Sequence, residues 1–257
     1  MVRGEHKAGL FKRAWIILYS VVYTGWSSFR VVAISLSGKQ QRQAIDRVIR
    51  RWARKLVDLA QIRYQVHGDL AGQLVPGRPT IVMSTHSSTY DIPLSYLAVP
   101  GSLRMLAKKE LFRIPVLSAG MRAAEMISIN RQDRQHAIAD LRRAREKMES
   151  GVILWLAPEG TRSRDGALLP LKKGGFHLAI DTGAIIIPMV FRNIHRVLPA
   201  NSSDITLGVE VDVCFGKAID AALFGKSQRQ QLTDEVTRQM QTLLAAGKPF
   251  DGERDND

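Results

Sequence analysis

His86 and Asp91, five positions apart in "STHSSTYD", are a base and a carboxylate close enough along the chain to act together. On a regular helix five residues turn the chain through about 500°, leaving the two side chains roughly 140° apart and unable to meet. The pair works only across a turn. Ser87, Ser88 and Thr89 offer that turn and helix caps, and Pro93 is tolerated only where a helix is just beginning. Asp91 then falls in the first helical turn, able to fold back on His86. A carboxylate bonded to one imidazole nitrogen fixes the tautomer and supports the charge that develops when the other nitrogen takes a proton. The competing reading of these residues is a polar loop in which Asp91 simply faces a helix N-terminus. This stretch alone leaves both open.

A second group lies in "APEGTRSRDG", where Glu159, Gly160, Thr161 and Arg162 follow an apolar run. Glycine lets backbone approach a ligand closely, and the arginine fork matches phosphate oxygens. Glu159 has two uses in this reading, holding Arg162 in place or bonding a substrate hydroxyl. A polar surface turn with a local ion pair explains the same residues. Lys108 and Lys109 of "LAKKELFRIP" and Arg131 of "ISINR" are further cations, ordinary solvated charges unless they converge with Arg162 on one phosphate. Cys214 alternates inside "VEVDVCFGK", the pattern of a buried strand thiol rather than a nucleophile. As the sole cysteine it permits no intrachain disulfide, which fits a reducing compartment.

The elements around these residues explain their placement. "TIVMST" reads as a buried strand ending just before His86, with a helix near "DIPLSYLAV". "HAIADLRRAREKMES" is a helix closed by Gly151, and "VILWLA" is a strand that runs into Glu159. A helix in "GFHLAIDTG", a strand in "AIIIPMVF", one or two strands in "DITLGVEVDVCFG" and a polar C-terminal helix follow. This alternation predicts an α/β fold with a mixed, largely parallel sheet flanked by helices. Ligands of such sheets bind beyond the carboxyl ends of strands, where His86 and Glu159 both fall. There is no internal repeat or low-complexity linker. The natural boundary lies near residues 61–70, which divides the chain into a membrane-attachment region, 1–62, and a catalytic domain, 63–257.

The 257 residues are 45% apolar and 24% charged, a globular composition that excludes a polytopic membrane protein and a wholly disordered chain. A net charge of +13 predicts attraction to an anionic partner. Residues 1–60 hold twelve Lys or Arg against three Asp or Glu, so nine of those thirteen charges sit in this first part. "AWIILYSVVYTGWSSF" and "VVAISLS" are apolar but divided at Arg30, each shorter than the ~20 residues of a simple membrane span. Basic residues before an apolar run also resemble a signal peptide, yet no small-residue cleavage site follows. In "AIDRVIRRWARKLVDLAQI", Ile45, Val48, Ile49, Trp52, Leu56 and Leu59 recur at helical spacing, opposite Arg47, Arg50, Arg51, Arg54 and Lys55. Such a helix is expected to lie in a bilayer interface, its apolar face in the acyl boundary, with Trp15, Trp26 and Trp52 as an interfacial belt. Its alternative is a helix packed on its own domain with the charged face in water.

His86-x4-Asp91, "AKKELFRIP", the arginine of "ISINR", "PEGTRS" and "IIIPMVF" occur in the order seen in the glycerolipid acyltransferases. Over residues 64–220 the chain most resembles the lysophosphatidic acid acyltransferases, the 1-acylglycerol-3-phosphate O-acyltransferases. The resemblance implies a mixed sheet flanked by helices and an N-terminal helical membrane-binding element. It also implies transfer of a fatty acyl group from acyl-ACP (acyl-carrier protein) or acyl-CoA to the sn-2 hydroxyl of lysophosphatidic acid, giving phosphatidic acid. The place implied is the cytoplasmic face of the inner membrane, with peripheral or monotopic attachment. No metal or resident cofactor is implied, the thioester being a co-substrate. Thr85 stands where the family often has Asn. "EMISINR" departs from the usual Gly-x-x-Phe-Ile-x-Arg, with Glu125 for Gly and Ser128 for the aromatic, a departure that bears on the acceptor more than on the chemistry.

Thioesters are already activated, so transfer to an alcohol needs a base and a stabilised oxyanion, with no covalent enzyme intermediate. His86 is then the base and Asp91 its orienter. Arg131 and Arg162, with Lys108 and Lys109, would hold the acceptor phosphate; Glu159, Gly160 and Thr161 would shape the pocket. Backbone amides near Gly160 or at the helix start are the candidate oxyanion donors. Expected partners are an anionic membrane surface, a lysophospholipid acceptor and the acyl carrier protein or CoA thioester, with no nucleic acid. Competing readings are another lysolipid acceptor, such as a lyso-ornithine lipid, and a His/Asp thioesterase using a nearby serine such as Ser84, for which no Gly-x-Ser-x-Gly elbow is present. A basic nucleic-acid-binding protein lacks any motif.

Overall fold

The apolar runs form the middle of one sheet. The computed structural model describes residues 4–38, 41–129 and 134–247. In chain order come β1 (His6–Lys7), α1 (Leu10–Ser35), α2 (Gln41–Leu59), β2 (Arg63–His67), β3 (Thr80–Ser84), α3 (Asp91–Ala98), β4 (Ser102–Lys108), α4 (Leu117–Ala123) and β5 (Ile127–Ile129). Then follow α5 (Arg134–Glu149), β6 (Val152–Leu156), α6 (Gly174–Thr182), β7 (Ile185–Arg192), β8 (Thr206–Leu207), β9 (Glu210–Phe215), β10 (Ile219–Asp220) and α7 (Arg229–Ala245).

The main sheet runs β2-β9-β7-β3-β6-β4-β5, with β10 beside β7. From β7 to β5 all neighbours are parallel, whereas β9 runs antiparallel to β7 and carries β2 parallel to itself. The sheet is mixed and largely parallel, as expected. Every residue of β3 and β6 is buried, which requires layers on both faces. Period-2 alternation divides them: Val82 and Trp155 join the core under α2 and α3, while Ile81, Met83, Leu154 and Leu156 join the core under α6 and α7. Strands β2, β4 and β5 are not among those read from the sequence. They are shorter, less continuously apolar or at the sheet edge. Cys214 lies buried in β9, where burial pushes its thiol pKa up.

The two N-terminal helices differ from expectation in opposite ways. The apolar pieces on either side of Arg30 form one continuous helix, α1, of 26 residues. At 1.5 Å per residue it is about 39 Å long, and it is long and apolar enough to cross a membrane by length and composition. One side packs on α2 and α4. Gly120 of α4 is needed for that approach, since a Cβ there would come within 2.6 Å of Ser28. The other side exposes Phe11, Trp15, Leu18, Val22, Trp26 and Phe29 at spacings of three and four, with Phe11 91% exposed.

For α2 the bilayer reading is corrected. Ile45, Val48, Ile49, Ala53, Leu56 and Val57 are buried in the core shared with the sheet. A larger side chain so placed contributes up to about 1.5–3 kcal/mol, and the same face has nothing left to offer lipid. Trp52 likewise leaves the expected belt: its Nε1 donates to Thr24 Oγ1 at 3.0 Å and its ring meets Tyr96 edge-on.

Candidate active site

β3 ends at Ser84 and the chain turns through His86 before α3 starts at Asp91. Asp91 Oδ2 accepts three hydrogen bonds, from His86 Nδ1 at 2.7 Å and from the backbone amides of Ser87 at 2.8 Å and Ser88 at 3.0 Å. The first-turn carboxylate thus shapes the loop that presents its own partner. Among the described residues Oδ1 accepts no bond, so the carboxylate meets its donors through one oxygen. Asp91 is fully buried, and the His86 side chain keeps 21% of its surface. With the Nδ1 proton directed at Asp91, Nε2 carries the lone pair; this tautomer is assigned from the bond. Trp155 of β6 stands edge-on to the imidazole, 6.1 Å between centroids.

The backbone of His86 is gripped from the next strand. Its amide donates to Glu159 Oε1 at 2.8 Å, and its carbonyl accepts from the Ser163 amide at 2.7 Å. Glu159 Oε2 accepts from the Leu169 amide at 3.0 Å. The expectation that Glu159 holds Arg162 is therefore corrected: both its oxygens serve amides, and Arg162 donates to Thr89 Oγ1 at 2.8 Å. Burial pushes the Glu159 carboxyl up to about 7, against the opposing pull of those amide bonds. On the other side Thr85 ties the loop to β7, its amide donating to the Met189 carbonyl while its hydroxyl accepts from the Phe191 amide, both at 3.1 Å.

Gly160, at φ 71, makes the turn that leaves β6, a conformation for which glycine is the unstrained choice, and its amide donates to the Ala157 carbonyl. At the start of α3 the amides of Ser87 and Ser88 serve Asp91 and that of Tyr90 meets Ser88 Oγ. These four amides are thus engaged within the fold. Thr161 is exposed beside Arg162. Lys108 closes β4 and the exposed Lys109 follows, on the strand next to β6 and at the same carboxyl edge. Arg131 lies outside the described residues. The structure therefore joins His86, Asp91, Glu159 and, through Thr89, Arg162; Lys108 and Lys109 follow along the same edge of the sheet. Among the described residues no three His, Cys, Asp or Glu side chains gather as a metal site. Ser84 is fully buried and its hydroxyl donates to the Thr85 carbonyl, which tells against Ser84 as a nucleophile.

Thr89, Trp155 and the amide clamp of Glu159 were not legible beforehand. Thr89 counted only as a turn residue and Trp155 only as a core position. The departing second block has a physical account. Glu125 stands at φ 60, a left-handed conformation that suits the Gly usual there and strains other residues by about 1–2 kcal/mol. Its carboxylate takes Arg42 at 2.7 Å and Lys147 at 2.6 Å, and the hydrogen bonds from Arg42 first, then Lys147, hold it down at about 2. This cluster sits before β5, at the end opposite His86. Ser128 lines a cavity of about 290 Å³ with Phe112 and Met126.

A sheet whose strand ends carry a buried aspartate behind a histidine, followed by Glu-Gly-Thr-Arg, defines a class: residues 63–192 match the Acyltransferase family, and the chain belongs to it. Among curated relatives, the Brassica napus protein "1-acyl-sn-glycerol-3-phosphate acyltransferase BAT2, chloroplastic" is 32% identical over 55% of this chain and 41% of its own. The human "1-acyl-sn-glycerol-3-phosphate acyltransferase alpha" is 32% identical over 65% of this chain and 60% of its own. The chain thus spans about two fifths to three fifths of these relatives. The crystal structure of PlsC, the 1-acyl-sn-glycerophosphate acyltransferase of Thermotoga maritima, superposes with a TM-score of 0.76 over 93% of this chain and 98% of that one. At 24% identity it establishes the shared fold.

Proposed function

We propose that this chain transfers a fatty acyl group from an acyl thioester to the sn-2 hydroxyl of 1-acyl-sn-glycerol 3-phosphate. The observation that carries the reading is the 2.7 Å contact that turns His86 Nδ1 towards the buried Asp91 and leaves Nε2 as a base. Nε2 takes the hydroxyl proton as the oxygen forms its bond to the thioester carbon. The tetrahedral intermediate then expels the thiolate, which recovers the proton from the imidazolium. Base assistance of this kind supplies about 10² to 10⁴ in rate, and the remainder comes from positioning. Arg162 holds the acceptor phosphate, with Arg131, Lys108 and Lys109 as further candidate cations for it. Thr161 and Gly160 line the approach, and Glu159 acts by fixing the His86 loop. The donor is acyl-ACP or acyl-CoA.

The acceptor and product partition into lipid, and the stripe on α1 gives the enzyme a way to reach them. Since the opposite side of α1 packs against α2 and α4, the helix is suited to lying along one leaflet rather than being surrounded by lipid. This supports monotopic attachment at the cytoplasmic face, the side that supplies acyl thioesters. A transfer assay with labelled acyl-ACP and acyl-CoA across a panel of lysolipids tests the reading. Acylation of 1-acyl-sn-glycerol 3-phosphate well above every other acceptor is expected; acylation of a lyso-ornithine lipid alone, or release of free fatty acid without acceptor acylation, would replace it.

A further inference from the structure

Not all the cations of α2 are spread over an open face. Between α1 and α2 lies a groove of about 570 Å³, walled by Tyr19 and Tyr23 on one side and by Arg50, Arg51, Arg54 and Lys55 on the other. Among the described residues Asp58 is the one carboxylate that lines it, so four positive charges there face one negative. Arg50 is fixed by the carbonyls of Val99 and Gly101, and the Lys55 ammonium stands 5.7 Å from the Tyr19 ring centroid. Arg51, Arg54 and Lys55 are exposed.

Two placements give this groove a ligand. The tyrosines continue an aromatic ladder from the exposed stripe of α1: Trp15 and Tyr19 are 5.8 Å apart and Tyr19 stacks on Tyr23 at 5.7 Å. An apolar surface and a cationic groove therefore share one border, the complement of a lipid's chains and its charged headgroup. The groove is also remote from the catalytic residues along α3, since Arg50 binds beyond the last turn of that helix while Asp91 begins the first. We propose that it is a second lipid site, which seats the phosphate of an anionic glycerophospholipid of the bilayer while that lipid's acyl chains lie along the α1 stripe. The inference rests on the membrane attachment proposed above for α1.

Vesicle co-sedimentation separates the two ideas. The probes are pure phosphatidylcholine vesicles and vesicles in which a fixed fraction is phosphatidate. Intact protein is expected to bind both and to prefer the anionic ones. Arg51→Gln with Arg54→Gln should retain the thermal unfolding midpoint and the binding to phosphatidylcholine, but lose most of the preference, at about fivefold per cation. Lys217→Gln with Lys226→Gln, which removes equal charge outside the groove, should leave the preference intact. A groove variant that keeps the anionic preference overturns the lipid site and leaves α1 attachment standing. Failure of the intact protein to bind either vesicle overturns the attachment and the inference together. Saturable binding of inorganic phosphate by the vesicle-free protein, lost in the groove variant, would reassign the site to a soluble anion and overturn the bilayer lipid as its ligand.

Discussion

Among the described residues two histidine–aspartate pairs lie at nearly the same distance, 2.7 Å for His86–Asp91 and 2.8 Å for His67–Asp212, and they are put to different uses. Asp212 also meets Arg192 at 3.0 Å, so its charge is already matched before His67 is considered. Among the described residues Asp91 meets no Lys or Arg; backbone amides and His86 are its donors. His67 bonds across the ladder between β2 and β9 at the sheet edge with its side chain 42% exposed. His86 sits in a loop at the carboxyl end of a central strand, clamped through its own backbone by Glu159 and Ser163. A buried carboxylate whose charge is not otherwise matched can respond to a proton arriving on its histidine. One that is already salted to an arginine has little response left.

The pairs should therefore part company under mutation. His86→Ala should cost about 10² to 10⁴ in kcat, and Asp91→Asn a loss of similar order, in proteins with native circular dichroism. Arg162→Ala comes next: losing a charge-assisted bond to phosphate should raise KM for the acceptor about 10- to 100-fold with a smaller change in kcat. Glu159→Gln should act on the pH dependence of stability. The carboxyl is raised from 4.5 to about 7 in the fold, so between those values the folded state binds more protons than the unfolded one. Wild-type stability should fall as pH rises through this window and then level off. The glutamine variant should lack that slope when melting is followed against pH. His67→Ala should be the smallest change, below about 1 kcal/mol in stability with transfer within about twofold of wild type.

The central strands, their flanking helices and the turn between His86 and Asp91 were legible because long buried runs and a proline-limited helix start leave few alternatives. Edge strand β5 was not, having three residues and half of a polar neighbourhood. The fate of α2 was not legible either: a stripe such as Val48, Ile49 and Leu56 suits a bilayer and a protein core equally, and only the presence of α3 and the sheet beneath it decides. Conversely, Arg30 interrupted α1 in sequence although a single charge at a helix flank does not stop the helix. In the site, residue types announced His86, Asp91 and Arg162. The role of Glu159 was hidden because a carboxylate that serves two backbone amides from distant segments has no sequence spacing to betray it.

The most direct test is the kcat for acyl transfer of purified, folded His86→Ala measured beside His67→Ala with the same donor and acceptor. A loss of about 10² or more in the first, with the second within about twofold of wild type, is the predicted result. Comparable rates in the two variants would contradict the assignment of His86 as the base.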